Sequence, residues 1–309
     1  PDHQGEDGAS VNSVTLRYDK LVIAVGAKSA TFGIPGVEKY CYFLKQLSDA
    51  RMIRNRLLEC FERAASPSIS EPERNRLLHF VVVGGGPTSI EFAACLNDFI
   101  VSDVRRLYPD LVDRVTVSLL EAGKKLLPAF ESSLSEYCLE KYRKQNIDVR
   151  VGTSVTEVRR DVMILSDGSH MPYGLGVWSA GNAPVPLLDQ LPFDKDASGR
   201  ILVDGYLRVI GHEDVFAIGD CANVADRPLP PTAQVAEQQG RNVARNLNAT
   251  ARGKNLKPFV YNYRGMFAYT GAYTALLDSN IGKAGGFLSW CLYVGTYLTK
   301  LVSIRNKIM

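Results

Sequence analysis

The stretch that most constrains this chain is an apolar run, Leu77-Leu-His-Phe-Val-Val-Val83, that breaks into Gly84-Gly-Gly-Pro-Thr-Ser-Ile-Glu-Phe-Ala-Ala94. Consecutive branched apolar residues suit a strand covered on both faces, as in a parallel sheet. The glycines permit a tight turn with close backbone approach. Pro87 suits the first helical turn, where its missing N–H has no intrahelical partner. A second apolar strand, Val115-Thr-Val-Ser-Leu-Leu120, follows in the order of a βαβ nucleotide-binding half. Gly84-x-Gly86-x-x-Ser89 therefore sits where such a loop holds a pyrophosphate against helix N-terminal N–H groups. Gly84, Gly85, Gly86, Pro87 and Ser89 are the candidate phosphate-side residues. Ser89 replaces the third glycine of the fingerprint, at a position needing a small side chain for helix–strand contact. The plainer alternative is a glycine-rich turn that holds no ligand.

Glu121 directly follows the second strand. A carboxylate there accepts hydrogen bonds from the adenosine ribose and repels a 2′-phosphate, so NADH is expected in preference to NADPH. Lys124 and Lys125 close behind temper that preference, and a solvated turn carboxylate is the competing reading. Further strands are expected at 147–151, 162–165 and 175–178, with a meander over 152–173, and the unit closes near Trp178.

On either side the pattern changes. Tyr18–Gly26 reads as a buried parallel strand ending at a glycine, followed by the turn-rich Phe32-Gly-Ile-Pro-Gly36. Residues 45–64 carry helical spacing and read as a connector, with a domain boundary at the Ser/Pro-rich stretch 66–72. Val215-Phe-Ala-Ile-Gly-Asp220 is another buried strand, and a long helix over 232–252 follows a proline-rich loop.

Composition narrows the function classes. The 309 residues are 46% apolar, enough for about two domains. A net charge of +3, from 36 basic and 33 acidic residues, implies no nucleic acid partner. The six cysteines never form Cys-x-x-Cys, which argues against a redox dithiol, a zinc site or a disulfide framework and for a reducing compartment. No calcium loop of EF-hand spacing interrupts the nucleotide unit.

Leu21–Gly26, Phe32–Gly36, Val81–Ala94, Leu119–Ala122, Trp178–Asn182, Val215–Ala222 and Thr232–Gly240 occur in the order seen in two-dinucleotide flavoprotein reductases. Among these, Ala233-Gln-Val-Ala-Glu-Gln-Gln-Gly240 and Gly265-Met-Phe-Ala-Tyr-Thr-Gly271 resemble type II NADH dehydrogenases. The resemblance implies an α/β, Rossmann-like fold in which an NAD(H) domain is inserted into an FAD domain. It implies hydride passing from NADH to FAD and on to ubiquinone or another membrane quinone. By resemblance Gly26, Gly219, Asp220, Ala233 and Gln234 lie on the FAD side, with the Asp220 carboxylate on the ribityl hydroxyls. Ala180, Gly181 and Asn182 approach the nicotinamide. Glu91, Gln234 and Gln238 are the catalytic candidates: Glu91 as a proton relay or an orienting group, Gln234 on the quinone side. The family's glycine-rich FAD loop precedes a strand like 21–26, and none stands ahead of it here. The FAD domain is therefore expected to be incomplete, lacking on the order of a hundred residues.

The C-terminal stretch has 16 uncharged residues between Lys283 and Lys300. That is short of the roughly 20 needed to span a bilayer. Phe287, Trp290, Cys291, Val294, Leu298, Leu301 and Ile308 recur at helical spacing, with Lys300, Arg305 and Lys307 nearby. An amphipathic membrane-anchor helix is expected, with a core helix or a dimer interface as alternatives.

The expected organisation is 1–75 as part of the FAD domain plus connector, 76–182 as the NAD(H) domain, 183–256 as the second FAD part, and 257–309 as the quinone-side and anchor region. The expected protein is a non-pumping, FAD-dependent NADH:quinone oxidoreductase, peripheral on the mitochondrial inner membrane or a bacterial plasma membrane, and a homodimer. The rivals are a soluble ferredoxin- or rubredoxin-type reductase and an apoptosis-inducing-factor-like NAD-binding protein.

Overall fold

The computed structural model describes residues 14–300, without the side chain of Lys300. Leu301, Arg305, Lys307 and Ile308 of the expected anchor lie outside the described residues. The chain forms two compact units, one of Lys28–Ala183 with the chain from Asn262 onward, the other of the chain up to Ala27 with Pro184–Tyr261.

The first unit is built on a five-stranded parallel sheet in the order Tyr42–Phe43, Leu175–Trp178, His79–Val83, Thr116–Glu121, Ile147–Val151. Period-two alternation separates its faces. Phe80, Val82, Val117, Leu119, Leu175 and Val177 pack on one side with Ile90, Ala93 and Ala94 of the helix Pro87–Phe99. Val81, Val83, Leu120 and Trp178 point to the other, where an antiparallel meander of Val155–Val158, Val162–Leu165 and His170–Pro172 covers them with Val155, Met163 and Leu165. The chain runs from His79–Val83 outward through two strands, then returns to the opposite side at Leu175–Trp178. The strand ends beside this reversal are where open α/β sheets bind ligands.

Two expectations about organisation need correction. The helix Leu47–Ala64 is no free connector, and 66–72 separates nothing: Ile53, Leu57, Cys60, Phe61 and Ala64 are buried in the same core as Leu77 and Phe80. Their spacing makes one apolar stripe that the sheet face needs for cover. The chain from 262 onward likewise belongs to the nucleotide unit. Met266–Gly271, Thr274–Asp278 and Lys283–Gly286 form an antiparallel sheet whose Ala268 and Leu276 join that core.

In the C-terminal helix Phe287–Lys300 the expected apolar face is divided between half-buried and exposed positions. Trp290 packs edge-on against Tyr273 at 5.2 Å, and Val294 is half-buried, while Phe287, Leu288, Cys291, Leu292 and Leu298 are exposed. Among the described residues no helix is long and apolar enough to cross a membrane.

In the second unit Leu21–Ile23 pairs in parallel with Val215–Ala217, and Ile201–Val203 with Ala222–Val224. The helix Ala233–Thr250 is capped by Thr232, whose hydroxyl accepts from the Val235 N–H. Val243 carries it onto a core of Ile23, Val203, Val215 and Phe216.

Candidate functional site

A cavity of about 290 Å³ opens at the strand ends beside the sheet reversal, lined by Gly84–Gly86, Glu121, Ala122, Thr153, Ser154, Trp178–Gly181, Phe32 and Ile34. The glycines are dictated by space. Gly84 has φ +123°, and a Cβ there would come within 2.7 Å of Ser89 Oγ and 3.0 Å of the Ser179 carbonyl. A Cβ on Gly85 would strike the Glu121 carboxylate at 2.6 Å, whereas one on Gly86 would meet nothing within 4 Å. The open side of the turn is thus above Gly86, at the N-terminus of the helix Pro87–Phe99, whose first turn carries no acidic residue. An approaching pyrophosphate meets the positive end of the helix dipole there.

Glu121 ends its strand half-buried and accepts from the Gly123 N–H through Oε1, which draws Oε2 against Gly85. Backbone bonds hold this frame, from Gly84 N–H to Leu120 O at 2.8 Å and from Leu127 N–H to Gly85 O at 2.7 Å. Ser89 is fully buried, and its hydroxyl has no hydrogen-bond partner among the described residues. These features suit a dinucleotide: a side-chain-free approach over Gly86 and a carboxylate one strand away.

Not every expected residue faces the cavity. Gly84, Gly85, Gly86, Glu121, Ala180 and Gly181 line it together; Pro87, Ser89 and Asn182 do not. Pro87 starts the helix with its ring outward, Ser89 fills the space behind Gly84, and Asn182 Oδ1 accepts from Lys45 Nζ at 2.9 Å. Phe32 also lines the cavity, a role that the turn Phe32–Gly36 does not reveal in the sequence.

Glu91 lies away from this cavity, one turn further along the same helix. Its Oε1 accepts from the Tyr269 N–H at 3.2 Å, and the Tyr293 hydroxyl also bonds its carboxylate. Burial raises its pKa above the ordinary carboxylate value, against the lowering effect of both donors. Tyr269 stacks on Tyr293 at 6.1 Å, Tyr293 meets Tyr297 at 4.6 Å, and the Tyr269 hydroxyl donates to Asp98 Oδ2 at 2.5 Å. In the sequence Tyr293 and Tyr297, with Trp290, suit a membrane headgroup boundary; the contact of Tyr293 with Glu91 and Tyr269 is what only the structure brings.

In the second unit the parallel pair 21–23 and 215–217 ends at Gly26, φ +70°, and Gly219, φ +74°. A Cβ on Gly26 would meet nothing within 4 Å, and on Gly219 only the Ala236 methyl. Asp220 sits half-buried in the turn Gly219–Cys221. The buried residue that fixes this turn is Gln239, which sequence reasoning passed over for Gln238: its Oε1 accepts from the Gly219 N–H at 2.7 Å. Gln234 and Gln238 are half-buried one helical turn apart, and the Tyr261 hydroxyl donates to Gln234 Oε1 at 3.5 Å. Ala233, exposed, is the first helical residue. Open backbone at two glycines beside a short carboxylate suits the ribityl and phosphate groups of FAD. Glu91 and the two glutamines thus stand on different units.

A parallel sheet with a glycine turn at its reversal, and a second unit with its own glycine-ended parallel strands, define a dinucleotide-binding oxidoreductase of the α/β class. The family model described as pyridine nucleotide-disulphide oxidoreductase matches residues 3–240. The chain is 46% identical over 95% of its length to the "Probable NADH dehydrogenase" of Dictyostelium discoideum, covering 66% of it. It is 41% identical over 94% of its length to the "Internal alternative NAD(P)H-ubiquinone oxidoreductase A1, mitochondrial" of Arabidopsis thaliana, covering 61% of it. The structure of NDH2 from Plasmodium falciparum in complex with NADH superposes with a TM-score of 0.90 at 27% identity, over 96% of this chain and 76% of that one. The chain belongs to the pyridine nucleotide-disulphide oxidoreductase family, and within it is similar to the type II NADH–ubiquinone oxidoreductases. It spans a little under two thirds of the length of these curated relatives.

Proposed function

We propose that this chain is the NADH- and quinone-side part of an FAD-dependent NADH:ubiquinone oxidoreductase of the mitochondrial inner membrane. The observation that carries this reading is the cavity at the sheet reversal, where open space above Gly86 adjoins the Glu121 carboxylate. Gly84–Gly86 and the helix behind them hold the pyrophosphate of NADH, and Glu121 Oε2 accepts from the adenosine ribose. Gly26, Gly219, Asp220, Ala233 and Gln234 would hold FAD, which would supply the hydride acceptor for NADH and the electron donor for the quinone. Asp220 accepts from ribityl hydroxyls, and the N-terminus of the helix Ala233–Thr250 favours negative charge near the flavin. Glu91, whose pKa burial raises, serves as the proton relay to the quinone as it is reduced.

The relatives named mitochondrial support the location, and the exposed Phe287, Leu288, Leu292 and Leu298 support a peripheral membrane contact. Steady-state assays on the full-length, FAD-loaded protein test the reading. NADH oxidation coupled to a short-chain ubiquinone is expected, with no electron transfer from NADH to oxidised ferredoxin or rubredoxin. Failure of NADH to bind, or transfer only to a carrier protein, would overturn it.

A further inference from the structure

Phe32 stands in a left-handed backbone conformation, φ +53°, followed by Gly33 at φ +70°. Glycine adopts this region freely, but a bulky aromatic is a genuine outlier there, and such outliers collect where a side chain must be aimed. The strain does not serve the core, since Phe32 is 67% exposed. It presents the ring at the mouth of the cavity described above. The ring also has a seat cut for it: a Cβ on Gly181 would strike Phe32 Cζ at 2.5 Å, so the ring edge rests on glycine backbone. A single exposed apolar residue needs no explanation by itself. One held at positive φ, seated on a glycine and facing a ligand-sized cavity does.

Its position along the sheet says which part of a ligand it meets. Glu121 ends one strand, and Gly181 follows the end of Leu175–Trp178, with His79–Val83 between those strands. Two inter-strand spacings put these points about 9–10 Å apart across the strand ends. An adenosine ribose at Glu121 and a pyrophosphate above Gly86 leave the far end of the dinucleotide beside Gly181. We propose that the exposed face of Phe32 packs against the nicotinamide ring and its ribose, making this residue a determinant of nicotinamide binding at the cavity. The proposal rests on the NADH reading of this cavity. Planar rings stack favourably on aromatic faces, so the contact favours the dinucleotide over its nicotinamide-free fragment.

Calorimetric titration of the full chain with NADH and with ADP-ribose, which lacks the nicotinamide, tests it without requiring turnover. Phe32→Ala is expected to weaken NADH by about 3- to 10-fold, the worth of one aromatic contact, and to leave ADP-ribose unchanged. Phe32→Tyr, which keeps the ring, should bind NADH like the parent chain. Equal loss for both ligands would overturn the proposal, because it places Phe32 at the adenosine end or makes it a mere support of the loop. So would an unchanged NADH affinity in Phe32→Ala. Absence of binding of either ligand to the parent chain would instead strike the NADH reading of the cavity.

Discussion

At the scale of single residues, the site is made of small side chains that clear space and a few polar ones that use it. Glu121 does two things at once, bonding the Gly123 N–H and laying its other oxygen beside Gly85. Glu121→Gln keeps the acceptor for Gly123 but removes the charge that repels a 2′-phosphate. The NADPH-to-NADH ratio of kcat/KM should rise by about tenfold, equivalent to roughly 1.4 kcal/mol. An unaltered ratio would show that the carboxylate only braces the turn. Glu91 carries the pH-dependent prediction. Its unfolded value is near 4.5, and burial raises it in the fold. The native state therefore binds this proton more tightly, and the residue's stabilising contribution is complete below about pH 4.5 and lost as pH rises through the folded value. Glu91→Gln should be more stable than the parent toward urea at about pH 7.5, with that advantage gone near pH 4. A constant difference across this range would remove the buried proton from the account.

At the scale of elements, the helix Leu47–Ala64 shows how a segment that reads as a link becomes structural. Its apolar positions were plain in the sequence; their partner was not, because nothing local says which face of which sheet they cover. Phe61 is fully buried, edge-on to Phe80 at 5.6 Å and stacked on Tyr108 at 5.4 Å. Phe61→Ala should cost about 3–5 kcal/mol in urea denaturation followed by tryptophan fluorescence. A loss below about 1 kcal/mol is what a solvent-facing connector gives. The glycine turn is the opposite case. Strand, turn and helix are adjacent in sequence, so short-range sterics and an N-terminal proline specify the loop without help from the rest of the chain.

At the scale of the whole molecule, the C-terminal helix leaves one apolar stripe exposed. Trp290 and Tyr293 turn inward to Tyr273 and Tyr269, and the outward stripe is Phe287, Leu288, Leu292 and Leu298. Replacing Leu288, Leu292 and Leu298 with Ser in the full-length protein should abolish flotation with anionic liposomes, each lost side chain forfeiting roughly 1.5–3 kcal/mol of burial. Short-chain quinone reduction should persist while bilayer ubiquinone becomes a poor substrate. If the triple variant still floats but sediments as a monomer where the parent is a dimer, the stripe covers a second copy instead.

The sequence by itself determined what rests on neighbours in the chain: the βαβ order, the glycine turn with Glu121 after its second strand, the paired glutamines on one helix, and through these the family. Periodicity and turn chemistry act within about one helical turn or strand, so they are legible before any folding. Tertiary structure alone decided the rest. It seated Phe32 on Gly181, placed Gln239 rather than Gln238 on the Gly219 turn, surrounded Glu91 with tyrosines 178 and more residues away, and drew the chain from Asn262 into the nucleotide unit. These depend on which apolar stripe meets which face, a choice made by the packing of the entire core and written in no local window.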